Sequence, residues 1–390
     1  MDSREQSLRV LLNNIAAEQG YENYELIVEG FSSGGANYTS KLFTAVIKSQ
    51  DKEDLNLFAK ITIVGDKIRE GIGSRMFDTE SFVYNKLTKI YKDIEEENGL
   101  EEEHRLTFPK YYGCDATKYQ ETIVLENLVA AGYSSYDRFK TVEWEYAAAT
   151  VTQMARLHAL SIAYSERDPE EFKRLLAELR AEMKEGSLDV MAEGSIKNAL
   201  KHVDNRHKKL LERFYESSMT EIVIRTTPPS FRPVIVHGDF RGSNIMHKVD
   251  ETGKVDIKIV DLQTLQGGSP VTDLLYFIFT GSDEKFRAQY YDKLIDHYYE
   301  ELSAALKRLH LDPDKIYSRQ NFDEELKEKL PFGLALAVFT LPVITVETDK
   351  APKVNESMEI TDFSVSNTSD LYKERLNGVI NDYVRWGVLK

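Results

Sequence analysis

Residues 237–244 read His-Gly-Asp-Phe-Arg-Gly-Ser-Asn, and the chain then continues through two short apolar runs to Asp261. The turn at residues 250–253, which contains Thr-Gly, separates the apolar residues 245–247 from the apolar run 255–260. A turn of this kind between two apolar runs predicts a β-hairpin. We therefore expect a polar loop followed by a hairpin, with Asp261 at the end of the second hairpin strand.

The polar residues of this stretch have the side chains that phosphoryl transfer requires. Transfer needs a carboxylate that orients or deprotonates the attacking hydroxyl, and oxygen ligands that hold magnesium against the phosphates. Asp239 would supply the carboxylate, and Asn244 and Asp261 would supply the ligands. The spacing matches the kinase pattern His-x-Asp-x-x-x-x-Asn followed by a metal-binding Asp. Arg241 lies two positions after the proposed base, where its cation could contact the transferring phosphoryl group.

His-x-Asp alone is a weak pattern, because a turn-forming Asp beside Gly is also common in ordinary loops. The amino-terminal half of the chain supplies the other kinase elements in the required order. Gly30, Gly34 and Gly35 lie in a predicted turn between two strands, where backbone amides can approach phosphates. Lys60 lies in an otherwise apolar strand, and Glu80 follows on a predicted helix. Since a buried charge needs a partner, the two are predicted to form an ion pair that directs the ammonium at nucleotide phosphates.

The predicted secondary structure changes in character after Leu125. Strands are predicted at residues 24–29, 38–48, 55–63, 110–114 and 121–125, with one helix within residues 74–91. Long helices are predicted at residues 142–161, 169–183, 195–217, 284–310, 323–340 and 370–386. The predicted fold class is therefore α+β, with a small antiparallel β-rich lobe at 1–125 and a larger, mainly helical lobe at 126–390 around one cleft.

Composition excludes several classes of protein. The 390 residues include 50 Lys and Arg against 65 Asp and Glu, which gives a formal charge of −15. This acidic balance argues against broad binding to a nucleic-acid backbone, which requires basic patches. The single cysteine, Cys114, excludes an intramolecular disulfide and a cysteine-rich zinc site.

Targeting signals are also absent from the sequence. The amino terminus has charged residues where a secretory signal would be apolar. The longest apolar stretch, 332–346, contains Pro342 and is shorter than the ~20 residues that cross a bilayer, so it predicts a buried helix that ends near the proline. We therefore expect a cytoplasmic protein without a membrane span, and no feature indicates a protein partner.

With these elements in place, the chain resembles the aminoglycoside phosphotransferase and choline kinase branch of the protein-kinase-like fold. Within that branch it is most similar to the ecdysteroid kinase-like proteins. The resemblance lies in Leu-Glu-Asn-Leu at 125–128, Leu-His-Ala-Leu-Ser at 157–161, the stretch 237–244, Asp-Leu-Gln at 261–263 and Asp-Leu-Leu-Tyr at 273–276. It extends from about Gly30 to the apolar helix at 332–342.

The resemblance implies ATP and Mg²⁺ as cofactors and assigns roles to the polar residues. The catalytic Asp of the family falls on Asp239, and its metal ligands fall on Asn244 and Asp261. Its phosphate-contacting lysine falls on Lys60, with Glu80 as the partner of that lysine.

Further positions follow from the same resemblance. The family binds adenine through backbone groups at the junction of the lobes, which here are those of Glu126 and Leu128. Asp273 matches an Asp that braces the catalytic loop from a helix start, and His237 is expected to support the loop by hydrogen bonding and not to shuttle protons.

The expected reaction transfers the γ-phosphoryl group of ATP to a hydroxyl of a small molecule. No Ala-Pro-Glu follows Asp261, and residues 267–273 are too short for a long activation segment, which argues against protein substrates. The resemblance suggests a steroid hydroxyl, such as that of an ecdysteroid, or a xenobiotic alcohol. The acidic charge by itself would equally suit a cationic acceptor such as choline or an aminoglycoside. A non-catalytic nucleotide-binding pseudokinase is the alternative from another class, but it would be expected to have lost Lys60, Asp239 or Asp261.

Overall fold

The structure, a computed structural model, describes residues 3–31, 39–66, 69, 75–179, 187–217, 219–351 and 365–390. Within these residues a five-stranded antiparallel sheet comes first along the chain, and helices predominate after it. The α+β class predicted from the sequence is therefore confirmed.

The amino-terminal sheet has the strand order β1-β2-β3-β5-β4. Its strands are β1 (Glu25–Phe31), β2 (Ser40–Lys48), β3 (Leu55–Thr62), β4 (Tyr111–Asp115) and β5 (Thr122–Glu126). Leu57, Ala59 and Ile61 of β3 form a buried cluster with the helix α1 (Ser3–Glu18). Because successive strand residues point to opposite faces, Lys60 lies on the other face of the sheet.

A continuous helical segment follows the first three strands. It consists of α2 (Met76–Phe82), a π-helical turn (Val83–Leu87) and α3 (Thr88–Glu97). Val83, Tyr84 and Leu87 are buried in the main hydrophobic core, which also contains residues of the later helices. Packing of the π-helical turn thus ties α2, which bears Glu80, to the rest of the molecule.

The remainder of the chain is mostly helical. Its helices are α4 (Trp144–Arg167), α5 (Pro169–Glu178), α6 (Ser187–His202), α7 (Asn205–Phe214), α8 (Met219–Thr226), α9 (Pro270–Gly281), α10 (Glu284–Arg308), α11 (Pro313–Ile316), α12 (Arg319–Ile344) and α13 (Asp370–Arg385). The side chains of α9 are buried from its first residue to Thr280, so this helix lies inside the core. None of the helices in the described ranges combines the length and the apolar character that a membrane crossing requires.

Five short strands also occur within this mostly helical part of the described chain. They are β6 (Ser134–Ser135), β7 (Val234–Val236), β8 (Ile245–Val249), β9 (Val255–Ile259) and β10 (Gln266–Gly268). β8 and β9 pair in antiparallel register, with Ile245 opposite Ile259. Their turn is closed by Asp250, whose carboxylate accepts the N–H groups of Thr252 and Lys254 at 2.8 and 3.0 Å. The hairpin predicted from the sequence is therefore confirmed.

Two predictions of local structure were wrong, one helix end was predicted to within two residues, and two helices were not predicted. The helix predicted at 195–217 is two helices, because Asp204 interrupts it and α7 begins at the next residue. The helix predicted to end near Pro342 continues to Ile344. Each internal proline costs a helix about 3 kcal/mol, and the burial of α12 against α9 offsets this cost. Gly30 belongs to β1, where it pairs with Phe43, and not to the following turn. Neither α1 nor α8 was predicted from the sequence, whereas the helix start at Asp273 that the family resemblance implied is that of α9.

Candidate active site

His237 and Gly238 begin the loop that follows β7. In the tautomer that satisfies both contacts of the buried His237 ring, Nε2 donates to the Val260 carbonyl at 3.0 Å and Nδ1 accepts the Asp239 N–H at 3.2 Å. Gly238 has a φ of +80°, and a Cβ there would lie 2.6 Å from the carbonyl oxygen of Thr264. Only glycine fits these two conditions, so the turn that presents Asp239 depends on it.

Asp273 holds the same loop from the first turn of α9. Its carboxylate accepts the N–H groups of His237 and Gly238 at 2.7 and 3.0 Å, and it is 1% exposed. His158 Nε2 lies 3.2 Å from the same carboxylate, and its Nδ1 lies 2.7 Å from the Tyr298 hydroxyl. His237 and Asp273, both predicted as structural supports, are therefore joined in one buried hydrogen-bond chain behind the loop.

Asp239 has donors on both of its carboxylate oxygens. The Tyr276 hydroxyl donates to Oδ1 at 2.6 Å, and Asn244 Nδ2 donates to Oδ2 at 2.8 Å. Arg241 Nε lies 3.1 Å from Oδ1, so the cation predicted to contact the phosphoryl group pairs with the proposed base here. Asp239 keeps 20% of its side-chain surface exposed. The carboxylate is therefore both fixed in place and open to the cleft.

Asn244 and Asp261 lie beside each other across the β8–β9 hairpin. The Val260 N–H, one residue before Asp261, donates to the Asn244 carbonyl at 3.0 Å. Asp261 has a φ of +62°, in the left-handed region that residues other than glycine seldom adopt. A strained backbone of this kind is often found where a functional side chain must be directed away from its strand.

Lys60 lies at the centre of a buried polar cluster. Its Nζ donates to Glu80 Oε2 at 2.9 Å, to Gln263 Oε1 at 3.1 Å and to Asp261 Oδ1. These three acceptors account for the three donor hydrogens of an ammonium group. Burial opposes the charge of Lys60, but the carboxylates of Asp261 and Glu80 outweigh it and raise the pKa of Lys60 above its ordinary value.

The two carboxylates of this cluster compete for one ammonium. Burial raises the pKa of Glu80, although Lys60 opposes this shift. Burial acts in the same direction on Asp261, but there Lys60 outweighs it and the pKa of Asp261 is lowered. The cluster therefore contains an ionised Asp261 and a Glu80 whose pKa is raised, and a bound cation would favour the ionised form of both carboxylates.

The proposed nucleotide-contacting residues are only partly placed by the structure. Gly34 and Gly35 lie outside the described residues. Glu126 ends β5, and its N–H donates to the Lys110 carbonyl at 2.8 Å. The Leu128 carbonyl accepts the Tyr133 N–H at 2.9 Å, whereas the Leu128 N–H has no hydrogen-bond partner among the described residues.

Two polar residues of the site are not predicted from the sequence, Tyr276 and Gln263. Both lie in segments that carry the family resemblance, but the sequence around each residue does not by itself predict which side chain it contacts. Tyr276 follows Asp273 by three residues on α9, so the two share one helix face. That spacing is the signal that could have placed Tyr276 against the loop once Asp273 was known to brace it.

A cavity opens beside the catalytic loop at residues 241–243. Its apolar lining includes Val142, Val343 and Ile344. Its charged lining consists of Asp137, Arg138, Lys140 and Arg241. Three cations against one acid give this part of the surface a positive character, in contrast to the charge of the whole chain.

A strand lysine paired with a helix glutamate, and a loop carboxylate next to an Asn–Asp pair, define the class of protein as a kinase. The model of the ecdysteroid kinase-like family matches residues 34–311, and the chain belongs to this family. It is therefore a phosphotransferase that acts on the hydroxyl groups of small molecules.

Solved structures with a similar fold are aminoglycoside phosphotransferases. An APH(2″) enzyme in complex with GDP and kanamycin has 9% identity and a TM-score of 0.44, over 85% of this chain and 90% of that one. The GDP complex of an aminoglycoside 2′-phosphotransferase-IIIa variant has 10% identity and a TM-score of 0.45, over 98% of this chain and 99% of that one. No curated protein sequence matches the chain. The assignment to a family thus depends on the family model and not on these distant structures.

Proposed function

We propose that the protein transfers the γ-phosphoryl group of ATP to a hydroxyl of an uncharged, largely apolar acceptor, such as an ecdysteroid or a xenobiotic alcohol, with Asp239 as the catalytic base. The observation that carries this proposal is the fixed carboxylate of Asp239 beside Asn244, in a chain whose Lys60 and Asp261 meet in the same cleft. Family membership supports the acceptor class.

The role of Asp239 follows from its hydrogen bonds. Because Tyr276 and Asn244 each hold one oxygen, the carboxylate cannot turn freely, and it presents its remaining lone pairs in one direction. A carboxylate held in this way can orient an acceptor hydroxyl and accept its proton as the oxygen attacks phosphorus.

The donor set of the cleft fits a magnesium ion. The Nδ2 of Asn244 is used by the carbonyl and carboxylate of Asp239, so its Oδ1 is the ligand atom that remains. Asp261 would supply a carboxylate oxygen. No group of three or more His, Cys, Asp or Glu side chains in the described ranges is arranged to hold a metal. Two protein ligands suit Mg²⁺, which often takes its other ligands from water and phosphate, and the ion would neutralise charge on the phosphates.

The remaining groups would bind the nucleotide. Lys60 supplies a charge at the base of the cleft, and Glu80 holds its ammonium in position. The Leu128 N–H, which the described residues leave without an acceptor, would serve as a backbone donor to adenine. Gly34, Gly35 and Glu126 complete the proposed nucleotide site.

The cavity at residues 241–243 favours an uncharged acceptor over a cationic one. It lies on the catalytic loop, two residues from Asp239, and its volume of about 30 Å³ is that of a crevice beside the loop and not of a complete acceptor pocket. Arg241 pairs with Asp239, and Lys140 Nζ lies 4.0 Å from Asp137, so one positive charge is in excess beside the loop, and choline or an aminoglycoside would meet a charge of its own sign there. The charge beside the loop thus favours an uncharged acceptor over a cationic one, whereas the net charge of the chain does not distinguish between them.

The test is a parallel assay of ATP consumption with Mg²⁺ in the presence of ecdysone, choline or kanamycin. We expect turnover with ecdysone and little with either cation. Asp239→Asn, which keeps the size of the side chain, should lower turnover by ~10²–10⁴ while ATP binding stays nearly intact. Turnover with choline or kanamycin alone would overturn the acceptor class. Nucleotide binding without phosphorylation of any acceptor would indicate the pseudokinase.

A further inference from the structure

We propose that Tyr276 is a positioning residue for phosphoryl transfer, because its hydroxyl fixes the orientation of the Asp239 carboxylate. This inference rests on the proposed role of Asp239 as the base. Tyr276 lies in α9, outside the loop at residues 237–244, and it is 7% exposed. Its hydroxyl reaches out of the core to Asp239 Oδ1 at 2.6 Å.

One rigid element controls both the backbone and the side chain of the catalytic loop. Asp273 in α9 accepts the N–H groups of residues 237 and 238, which sets the path of the backbone. Three residues later on the same helix, Tyr276 donates to the side chain of Asp239. Because every described side chain of α9 as far as Thr280 is buried, neither contact can shift without disturbing the core.

The Tyr276 hydroxyl acts only as a hydrogen-bond donor to the carboxylate. Burial, and after it the negative charge of Asp239, raises the pKa of Tyr276 well above its ordinary value. The phenol therefore keeps its proton near neutral pH, and its hydrogen is available to Oδ1.

Arg241 is the competitor that makes this hydrogen bond necessary. Its Nε lies 3.1 Å from Oδ1 and 3.2 Å from Oδ2 of Asp239, nearly midway between the two oxygens. Without the Tyr276 hydroxyl, the carboxylate can rotate toward the guanidinium group and form a closer pair with it. The other groups that face Asp239 are His237 and Asn244, whose contacts to its backbone and Oδ2 remain in place.

The first experiment is Tyr276→Phe, which removes only the hydroxyl. We expect kcat with ecdysone to fall about 10–100-fold, the size of effect that follows misplacement of a reacting group, while KM for ATP stays within about twofold. Tyr383→Phe is the matched control, since its buried hydroxyl also donates one hydrogen bond, to the Leu330 carbonyl at 2.8 Å, far from the loop. An unchanged kcat in Tyr276→Phe, or an equal loss in Tyr383→Phe, would overturn the inference.

A double-mutant cycle separates positioning from a general structural effect. If Tyr276 acts through Asp239, then Tyr276→Phe should change kcat less than about twofold in an Asp239→Asn background. The same 10–100-fold loss in both backgrounds would show that Tyr276 acts elsewhere and would overturn the proposal.

Crystal structures give a readout that does not depend on turnover. In Tyr276→Phe, the Asp239 carboxylate should be rotated toward Arg241, whereas in Tyr383→Phe it should keep its orientation. An unrotated Asp239 in Tyr276→Phe would overturn the inference even if no acceptor were phosphorylated. Absence of turnover in the unmodified enzyme, together with the expected rotation, would instead overturn the proposed function alone.

Discussion

Two clusters of buried charged side chains in the described part of the chain differ in how their charges are balanced. In the cleft, the ammonium of Lys60 faces two carboxylates. Between α10 and α13, the carboxylate of Asp382 faces two guanidinium groups. The first cluster therefore has one more carboxylate than cations, and the second has one more cation than carboxylates.

The helical cluster satisfies its charges without a ligand. The side chains of Arg287 and Asp382 are fully buried, and Arg287 Nη1 also donates to the Ser282 carbonyl at 2.6 Å. The second cation, Arg385, keeps half of its side-chain surface in water, where its charge is hydrated. Burial raises the pKa of Asp382, and Arg287 opposes this shift. This cluster joins two helices by a fully buried ion pair, although Arg287 Nη2 is buried there without a hydrogen-bond partner among the described residues.

The cleft cluster is not balanced in this way. It contains two carboxylates for one ammonium, and Asp261 keeps 22% of its side-chain surface exposed. A buried ion pair is weak support for stability, because desolvation offsets most of the attraction. The Arg287–Asp382 pair should therefore matter for folding, whereas the cleft cluster should matter for binding a cation and phosphates.

The largest expected effect is on the helical cluster. Arg287→Met leaves the buried carboxylate of Asp382 without its buried partner, and we expect the free energy of unfolding to fall by about 3–5 kcal/mol. Denaturant unfolding measures this loss. Arg385→Met removes the exposed partner of the same carboxylate and should cost less than about 1 kcal/mol. Equal losses in the two variants would contradict the distinction between buried and exposed partners.

The next effect concerns the cleft. Lys60→Met removes a positive charge that the transferring phosphates would contact, and we expect kcat to fall about 10²–10³-fold. Its stability should fall less than that of Arg287→Met, because Asp261 can remain hydrated at the edge of the cleft and because Glu80, whose pKa burial raises, can take up a proton. Steady-state kinetics and denaturant unfolding of the same preparations give both numbers. If Lys60→Met were as unstable as Arg287→Met with near-normal turnover, the cleft cluster would be structural and the comparison would fail.

Much of the candidate site could be predicted because its residues belong to local patterns. The loop 237–244 and the hairpin that ends at Asp261 are continuous in sequence, so their spacing alone places Asn244 near Asp261. The Lys60–Glu80 contact could be predicted because a charge on an apolar strand requires a partner. The structure brings these side chains together, while their catalytic roles stay predictions.

Other features could not be predicted because they depend on contacts between distant parts of the chain. Tyr276 reads as an apolar core residue within a buried helix, and only the packing of α9 under the loop shows its hydroxyl at Asp239. The continuation of α12 through Pro342 likewise depends on burial against α9, which outweighs the local preference of proline. Gly34 and Gly35 lie outside the described residues, so the phosphate-binding turn stays a prediction.

A smaller effect is expected for the proposed metal ligand. Asp261→Asn keeps a residue that tolerates the left-handed backbone, so the fold should be retained. We expect the affinity for ATP in the presence of Mg²⁺ to fall about tenfold, equivalent to about 1.4 kcal/mol, because one carboxylate ligand is lost. Titration calorimetry with and without EDTA separates the metal-dependent part. An unchanged magnesium requirement would contradict the assignment of Asp261.

Glu95 is another buried carboxylate, and it sharpens the comparison because it forms no ion pair with any described residue. It is 4% exposed, and its Oε1 accepts the Leu106 N–H at 2.7 Å. Burial raises the pKa of Glu95 to about 7 from an ordinary value of 4.5. Below pH 4.5 the carboxyl is protonated in both the folded and the unfolded chain, so it contributes no dependence on pH there. Between pH 4.5 and 7 the unfolded chain loses this proton first, so stability falls as the pH rises through that window.

Glu95→Gln tests whether a buried carboxylate without an ion-pair partner lowers the free energy of unfolding, which the two clusters avoid by pairing. The amide can still accept the Leu106 N–H, and it removes the ionisation. At pH 8 we expect the variant to be more stable than the unmodified protein by on the order of 1 kcal/mol, after allowing for partial hydration. At pH 4.5 the two proteins should unfold at the same denaturant concentration. A variant that is less stable at pH 8 would show that the nearby charges of Arg105 and Arg156 already compensate that of Glu95. Nearby cations without a direct ion pair would then be enough to keep a buried carboxylate ionised.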